Sequence, residues 1–269
     1  MIELILIITL SIILNKVSFK LIPSLLIDGD AVAKNYRGEV IPLGYGLVFS
    51  LNLVIIMIVG TIFGYYEVYQ IYNFIILILA MSFIGLLDDT IGNKDKQGFS
   101  GHFKALLFQK KLTTGTIKAL FAFIVVFFIN FYINQDLSNL IINGVLILLM
   151  TNFINLLDLR PGRALKVTLF FLLLILILSS KNHLLIIPII ITVLFALSFD
   201  LQAKGMMGDI GSNVLGVILG LLIVGSFSFI LRLMIISALV FIHLYSEFYS
   251  ISELIKQNKI LSYFDRLGR

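Results

Sequence analysis

The stretch Ile71-Tyr-Asn-Phe-Ile-Ile-Leu-Ile-Leu-Ala80-Met-Ser-Phe-Ile84-Gly-Leu-Leu-Asp88-Asp89 decides the fold. It is an uncharged, mostly apolar run that ends in two adjacent carboxylates. Crossing the hydrocarbon core of a bilayer takes about 20 residues, within a range of roughly 17–25. The run is continuous, without the alternation of a barrel strand, so a helix is the spanning structure it predicts.

The same pattern recurs along the chain. Nine candidate helices are expected, at about 2–19, 43–64, 71–87, 117–133, 139–157, 165–180, 184–199, 212–227 and 230–248. Hydrophobic residues make up 59% of the 269 positions and charged residues 13%, outside the usual range of a soluble enzyme. The expected fold class is all-α: a polytopic membrane helix bundle with its N-terminus outside and its C-terminus in the cytoplasm. No repeat, low-complexity tract or linker divides residues 1–269, so a single domain is expected. The opening MIELILIITLSIIL lacks a basic n-region and a small-residue cleavage site, which predicts a retained helix in place of a signal peptide. With no cysteine, thiolate chemistry and disulfides are excluded, and three scattered histidines argue against a histidine metal cluster.

The nine helices sort the connections onto two faces. Of 20 Lys and Arg residues, only Lys181 and Arg232 belong to one of them, a split of 18 to 2. That asymmetry predicts that the basic face is cytoplasmic. It also accounts for the net charge of +5 without any nucleic-acid partner. Carboxylates gather on the same face, although the positive-inside rule makes little demand on them. Asp88–Asp89, Asp158 and Asp209 each stand at the mouth of an apolar helix. Desolvation there is costly without a cation or a hydrogen-bond partner. Carboxylates presented by several helix mouths to one cavity suit a hard cation of the Mg²⁺ type, which takes one or two carboxylates plus phosphate oxygens.

Three motifs then follow in order: Ile84-Gly-Leu-Leu-Asp88-Asp89, Asn152-Phe-Ile-Asn155-Leu-Leu-Asp158, and Met207-Gly208-Asp209-Ile-Gly211-Ser212. Spacings of three put Asn152, Asn155 and Asp158 on one side of a helix. Ser212 can cap the helix that follows it, and a helix N-terminus attracts phosphate. Glycines at 208 and 211 let backbone approach a phosphate closely.

This ordered set resembles the polyprenyl-phosphate N-acetylhexosamine-1-phosphate transferase family, over roughly residues 20–220. The early stretch Asn35-Tyr-Arg37-Gly38 is similar to that family's first cytoplasmic loop. The resemblance implies phosphoryl transfer at the cytoplasmic face of a bacterial plasma membrane. A polyprenyl phosphate such as undecaprenyl phosphate attacks the β-phosphate of a nucleotide-sugar, a UDP-N-acetylhexosamine by expectation, and a nucleoside monophosphate is released. It implies Mg²⁺ as cofactor, Asp88, Asp89, Asp158 and Asp209 as catalytic residues, and Asp89, Asp158 and Asp209 as metal ligands. One of the Asp88–Asp89 pair would place the lipid phosphate or take its proton. Substrate contacts are expected from Asn35, Arg37, Asn152, Asn155, Gly211 and Ser212, and from Lys104, Lys111 or Lys118 in the long basic loop. The expected partners are the lipid phosphate, the nucleotide-sugar and the membrane, and a homodimer is compatible with them.

The chain departs from the family in two places. After Asp158 it reads Leu159-Arg160-Pro161-Gly162-Arg163-Ala164-Leu165-Lys166, where the family's peptidoglycan enzymes carry a Gly-Leu-Asp-Gly type stretch. An acid is missing and three cations stand in its place. Arg160, Arg163 and Lys166 are therefore expected to hold the donor's diphosphate or an acidic sugar, since arginine offers a planar fork suited to phosphate. The family's histidine-rich loop is also absent. Two other classes compete: a divergent member with another phospho-headgroup or no catalysis, and a transporter. A transporter would hold its acids near the bilayer midplane, which the one-sided clustering disfavours. Finally, apolar residues at helical spacing from Phe248 to Leu267, with Lys256, Lys259 and Arg266 among them, predict an interfacial C-terminal helix.

Overall fold

The apolar runs fold as helices in the order their sequence sets. The computed structural model describes residues 2–91, 114–133, 136–179 and 183–268. Helix α1 (Ile2–Asp28) leads into a short antiparallel hairpin, β1 (Val32–Lys34) and β2 (Val40–Pro42). Then come α2 (Leu47–Ile62), α3 (Val68–Ile91), α4 (Thr114–Ile133), α5 (Leu137–Leu157), α6 (Arg163–Leu178) and α7 (His183–Leu201). Helices α8 (Gly208–Ser226), α9 (Phe229–Phe248), α10 (Ile251–Gln257) and α11 (Lys259–Arg266) complete the chain.

The fold is an α-helical bundle of the membrane type. Among the described residues, six helices are long and apolar enough to cross a membrane: α1, α3, α5, α7, α8 and α9. Helix α2 is also apolar, but its 16 residues fall short of a bilayer's hydrocarbon thickness when untilted.

Three expectations change in detail. Helix α1 continues to Asp28 instead of ending near residue 19, carrying Lys16 and Lys20 on its later turns. The connection after it is a hairpin held by backbone pairing of Val32 with Pro42 and Lys34 with Val40. The tail is two helices, because Asn258 leaves helical geometry and its Oδ1 accepts from the N–H groups of Ile260 and Leu261. That is an N-cap, and it starts a new helix where periodicity alone reads one continuous run.

Helix α8 is the centre. Of its most apolar window 78% is buried, against 17% in α1 and 6% in α9, which therefore sit at the periphery. Small residues let neighbours approach α8 closely. A Cβ at Gly216 would lie 2.4 Å from the Thr151 backbone, and one at Gly85 2.5 Å from the backbone of Ile210. Close backbone approach at small residues is how helices associate where lipid removes the hydrophobic drive. Side-chain amides do the rest: Asn52 donates to Asn15, and Asn15 to Thr192, joining α2, α1 and α7.

Candidate functional site

Gly85 brings α3 against the start of α8, and so places the carboxylate of Asp89, one turn later, over that helix's N-terminus. The N–H of Asp209 donates to Asp89 Oδ1 at 3.0 Å, and the N–H of Ile210 to Oδ2 at 3.3 Å. Asp89 thus caps α8 from another helix, where the macrodipole favours a negative charge. Gly208 is required beneath it: its φ is +73°, and a Cβ there would meet Asp89 Oδ2 at 2.4 Å. Ser212 is therefore not the cap. The helix begins at Gly208, and buried Ser212 donates its hydroxyl to Asn155 Oδ1 at 3.3 Å, tying α8 to α5.

Beside this junction lies a cavity of about 570 Å³. It falls in the roughly 300–1,000 Å³ range of small-molecule sites. Its walls include Asp89, Asp158, Asp200 and Asp209, with Arg160, Asn35 and Tyr36. Each acid arrives from a helix end: α3, α5, α7 and α8. The 42–46 segment closes one side, docked to 206–207 through Met206 N–H to the Pro42 carbonyl at 2.8 Å and Gly44 N–H to the Met206 carbonyl at 2.9 Å.

Asp158 leaves α5 at its C-cap, with φ −78° and ψ 46°. That break ends the three-residue periodicity, so the asparagine motif does not converge as a set. Asp158 lines the cavity, Asn155 joins α5 to α8, and Asn152 is exposed. Burial, then the neighbouring carboxylates of Asp200, Asp209 and Asp89, pushes the Asp158 carboxyl well above the usual range. Tyr45 is fully buried; desolvation, followed by the charges of Asp200 and Asp158, pushes its hydroxyl up as well, so it stays protonated.

Asp200 was absent from the expected site residues, yet it is buried, lines the cavity, and accepts the Gly162 N–H on Oδ2 at 2.5 Å. The signal for it was present: it too is a carboxylate at the end of an apolar helix. Its bond holds the 160–163 turn, in which Gly162 adopts φ +75°.

The three basic residues of the 160–166 stretch part company. Arg160 is exposed and lines the cavity. Arg163 and Lys166 face the C-terminal tail instead. Arg163 donates to Asp265 from Nε at 2.7 Å and Nη2 at 3.3 Å, and to Ser252 Oγ from Nη1 at 2.9 Å. Lys166 Nζ donates to the carbonyls of Phe264 and Asp265. Asn35 is buried and holds the hairpin turn by accepting the N–H groups of Arg37 and Glu39, while it also lines the cavity. Arg37 is exposed, with its guanidinium over the Tyr36 ring. Gly211 packs against Gly46, where a Cβ would meet the Gly46 Cα at 2.9 Å. Asp88 is half-buried and is not among the cavity-lining residues. Lys104 and Lys111 lie outside the described residues, as does the side chain of Lys118.

Among the described residues, no three acidic or histidine side chains converge tightly enough to cage a metal unaided. Asp89 and Asp200 already accept backbone N–H groups. Asp158 and Asp209 also line the cavity and are oxygen donors that a hard cation could use, since a pair of carboxylates completed by phosphate oxygens is the usual set for Mg²⁺. The crowding of negative charge around Asp158 is what such a cation would relieve.

A pH test follows. Asp158 binds its proton more tightly in the fold than in the unfolded chain. Its contribution to stability is therefore lost as pH rises from the unfolded toward the folded value. Without divalent cation, Asp158→Asn should raise the unfolding temperature in detergent at about pH 8, with a smaller effect at about pH 5. A gain confined to the lower pH would contradict the crowding of charge.

No protein-family profile matches the chain, and no curated protein matches it.

Proposed function

We propose that the chain transfers a sugar-1-phosphate from a nucleotide-sugar, a UDP-N-acetylhexosamine by preference, to a polyprenyl phosphate at the cytoplasmic face of a bacterial plasma membrane. The observation that carries the reading is the meeting of Asp89, Asp158, Asp200 and Asp209, from four helix ends, around one cavity that Arg160 also lines. The ordered motifs that bear the family resemblance supply these residues. The 18-to-2 division of Lys and Arg supports a cytoplasmic mouth and nine crossings.

In this reading a lipid-phosphate oxygen attacks the β-phosphorus of the donor. The new P–O bond forms as the bond to the nucleoside monophosphate breaks, and that leaving group departs as its anion. The lipid phosphate is already largely ionised near neutrality, since its second pKa is about 6, so a general base has little to remove. Phosphoryl transfer of this kind depends on positioning and charge neutralisation. Asp158 and Asp209 would hold Mg²⁺, which would supply charge neutralisation to the diphosphate. Arg160, which lines the same cavity, is the cation for the donor's phosphates. Asp89 keeps Asp209 in place through the N-terminus of α8, and the neighbouring Asp88 is assigned to the lipid phosphate by the family resemblance alone.

A second reading has one observation in its favour. Asp89, Asn155 and Ser212 all serve helix contacts, which also suits a lipid-phosphate binder that performs no transfer. Purified protein given undecaprenyl phosphate, Mg²⁺ and a panel of labelled nucleotide-sugars separates the two. Transfer predicts label in the lipid phase with at least one donor. Binding of lipid phosphate with no label moved from any donor would favour the binder.

A further inference from the structure

The tail helices α10 and α11 are fixed to the start of α6 by contacts too specific for a loose interfacial segment. Arg163 is only 4% exposed, and its guanidinium spans Asp265 on α11 and Ser252 on α10. A planar fork shared between a carboxylate and a hydroxyl fixes the angle between the two short helices as well as their seat. Lys166 adds its Nζ to the carbonyls at positions 264 and 265, at 3.0 and 2.9 Å. These lie in the last turn of α11, where a cation complements exposed carbonyls. Gly268 rests on Leu201, the same side chain that packs against Gly162. The tail therefore sits on the turn that follows Asp158, and Ser252 is its residue in the cavity wall.

We propose that Ser252 is a phosphate-binding residue of the cavity, delivered by the tail, and that Arg163, Asp265 and Lys166 are its positioning residues. The Ser252 oxygen accepts from Arg163. Its own proton is then left to donate, and in the cavity the complementary partner is an anionic oxygen of a phosphorylated ligand. The tail contributes Ser252 to the cavity lining, and the Arg163–Asp265 pair sets the hydroxyl's place. The phosphorylated ligand rests on the proposed function, whereas the docking of the tail stands independently of it.

The chain has no cysteine, so a single one at Met206, a half-buried cavity residue, reports on the wall. In full-length protein carrying Met206→Cys, labelling by a water-soluble maleimide in detergent should be slow. Asp265→Asn should quicken it at least tenfold. Lys166→Met, which strands no buried cation, should quicken it too. UDP with Mg²⁺ should protect the cysteine, and Ser252→Ala should require at least tenfold more UDP for equal protection, each protein being compared with its own unprotected rate. Unchanged labelling in both clamp variants would overturn the docked tail. Equal UDP protection with and without the Ser252 hydroxyl would overturn its role. If UDP failed to protect the parent reporter while both clamp variants still labelled faster, the nucleotide reading would fall and the docked wall would stand.

Discussion

Asp209→Asn is expected to lower transfer by about three orders of magnitude, comparable to losing one key electrostatic stabiliser of a transition state. The change is isosteric, and the Asp209 backbone N–H that bonds Asp89 is untouched. The α8 N-terminus should therefore keep its cap, and the unfolding temperature should stay close to the parent's. What is lost is one of the two carboxylates proposed to hold Mg²⁺. Turnover and thermal unfolding measured on the same preparation decide the matter. A folded variant with parental turnover would remove Asp209 from the mechanism.

Asp89→Ala should behave in the opposite way, losing stability first. Two N–H groups at the start of α8 would be left without their charged acceptor. Losing a cap costs about 1 kcal/mol, and a hydrogen bond to a charged group about 1.5–3 kcal/mol, so a loss of roughly 2–4 kcal/mol is expected. Helix α8 is the most buried of the candidate spans, so fraying at its first turn would loosen the packing of α3 and α5 upon it. Activity should fall as well, because Asp209 sits in that turn. Asp89→Asn keeps a neutral acceptor and should fall between the two. Unfolding in detergent followed by circular dichroism measures the difference. Parental stability in Asp89→Ala would show that the contact contributes nothing.

These two aspartates illustrate what the sequence made legible. Apolar runs with carboxylates at their mouths were enough to place the helices in order and to bring Asp89, Asp158 and Asp209 to one cavity. The same reasoning does not bring Asp200 into the site, because no motif marks it. The capping of α8 by Asp89 was not legible. It joins residues 120 apart in sequence, and the local rule pointed to Ser212, which turned out to lie inside the helix. Arg163 and Lys166 were read as ligands of the donor because they follow Asp158 directly. Their partners lie about a hundred positions later, on a tail whose docking no periodicity reveals. The division of that tail was written in the chain, since Asn258 is a favoured N-cap residue, but a run of apolar residues at helical spacing outweighed it.

The claim that the cavity moves a sugar together with its phosphate is tested most directly by where a labelled phosphorus goes. Purified protein in detergent would be given undecaprenyl phosphate, Mg²⁺ and UDP-N-acetylglucosamine labelled at the β-phosphorus. Label passing into the lipid phase in step with UMP release, and halted by chelation of Mg²⁺, is the predicted result. Label remaining in the water phase as UDP, with the sugar alone reaching the lipid, would contradict the account.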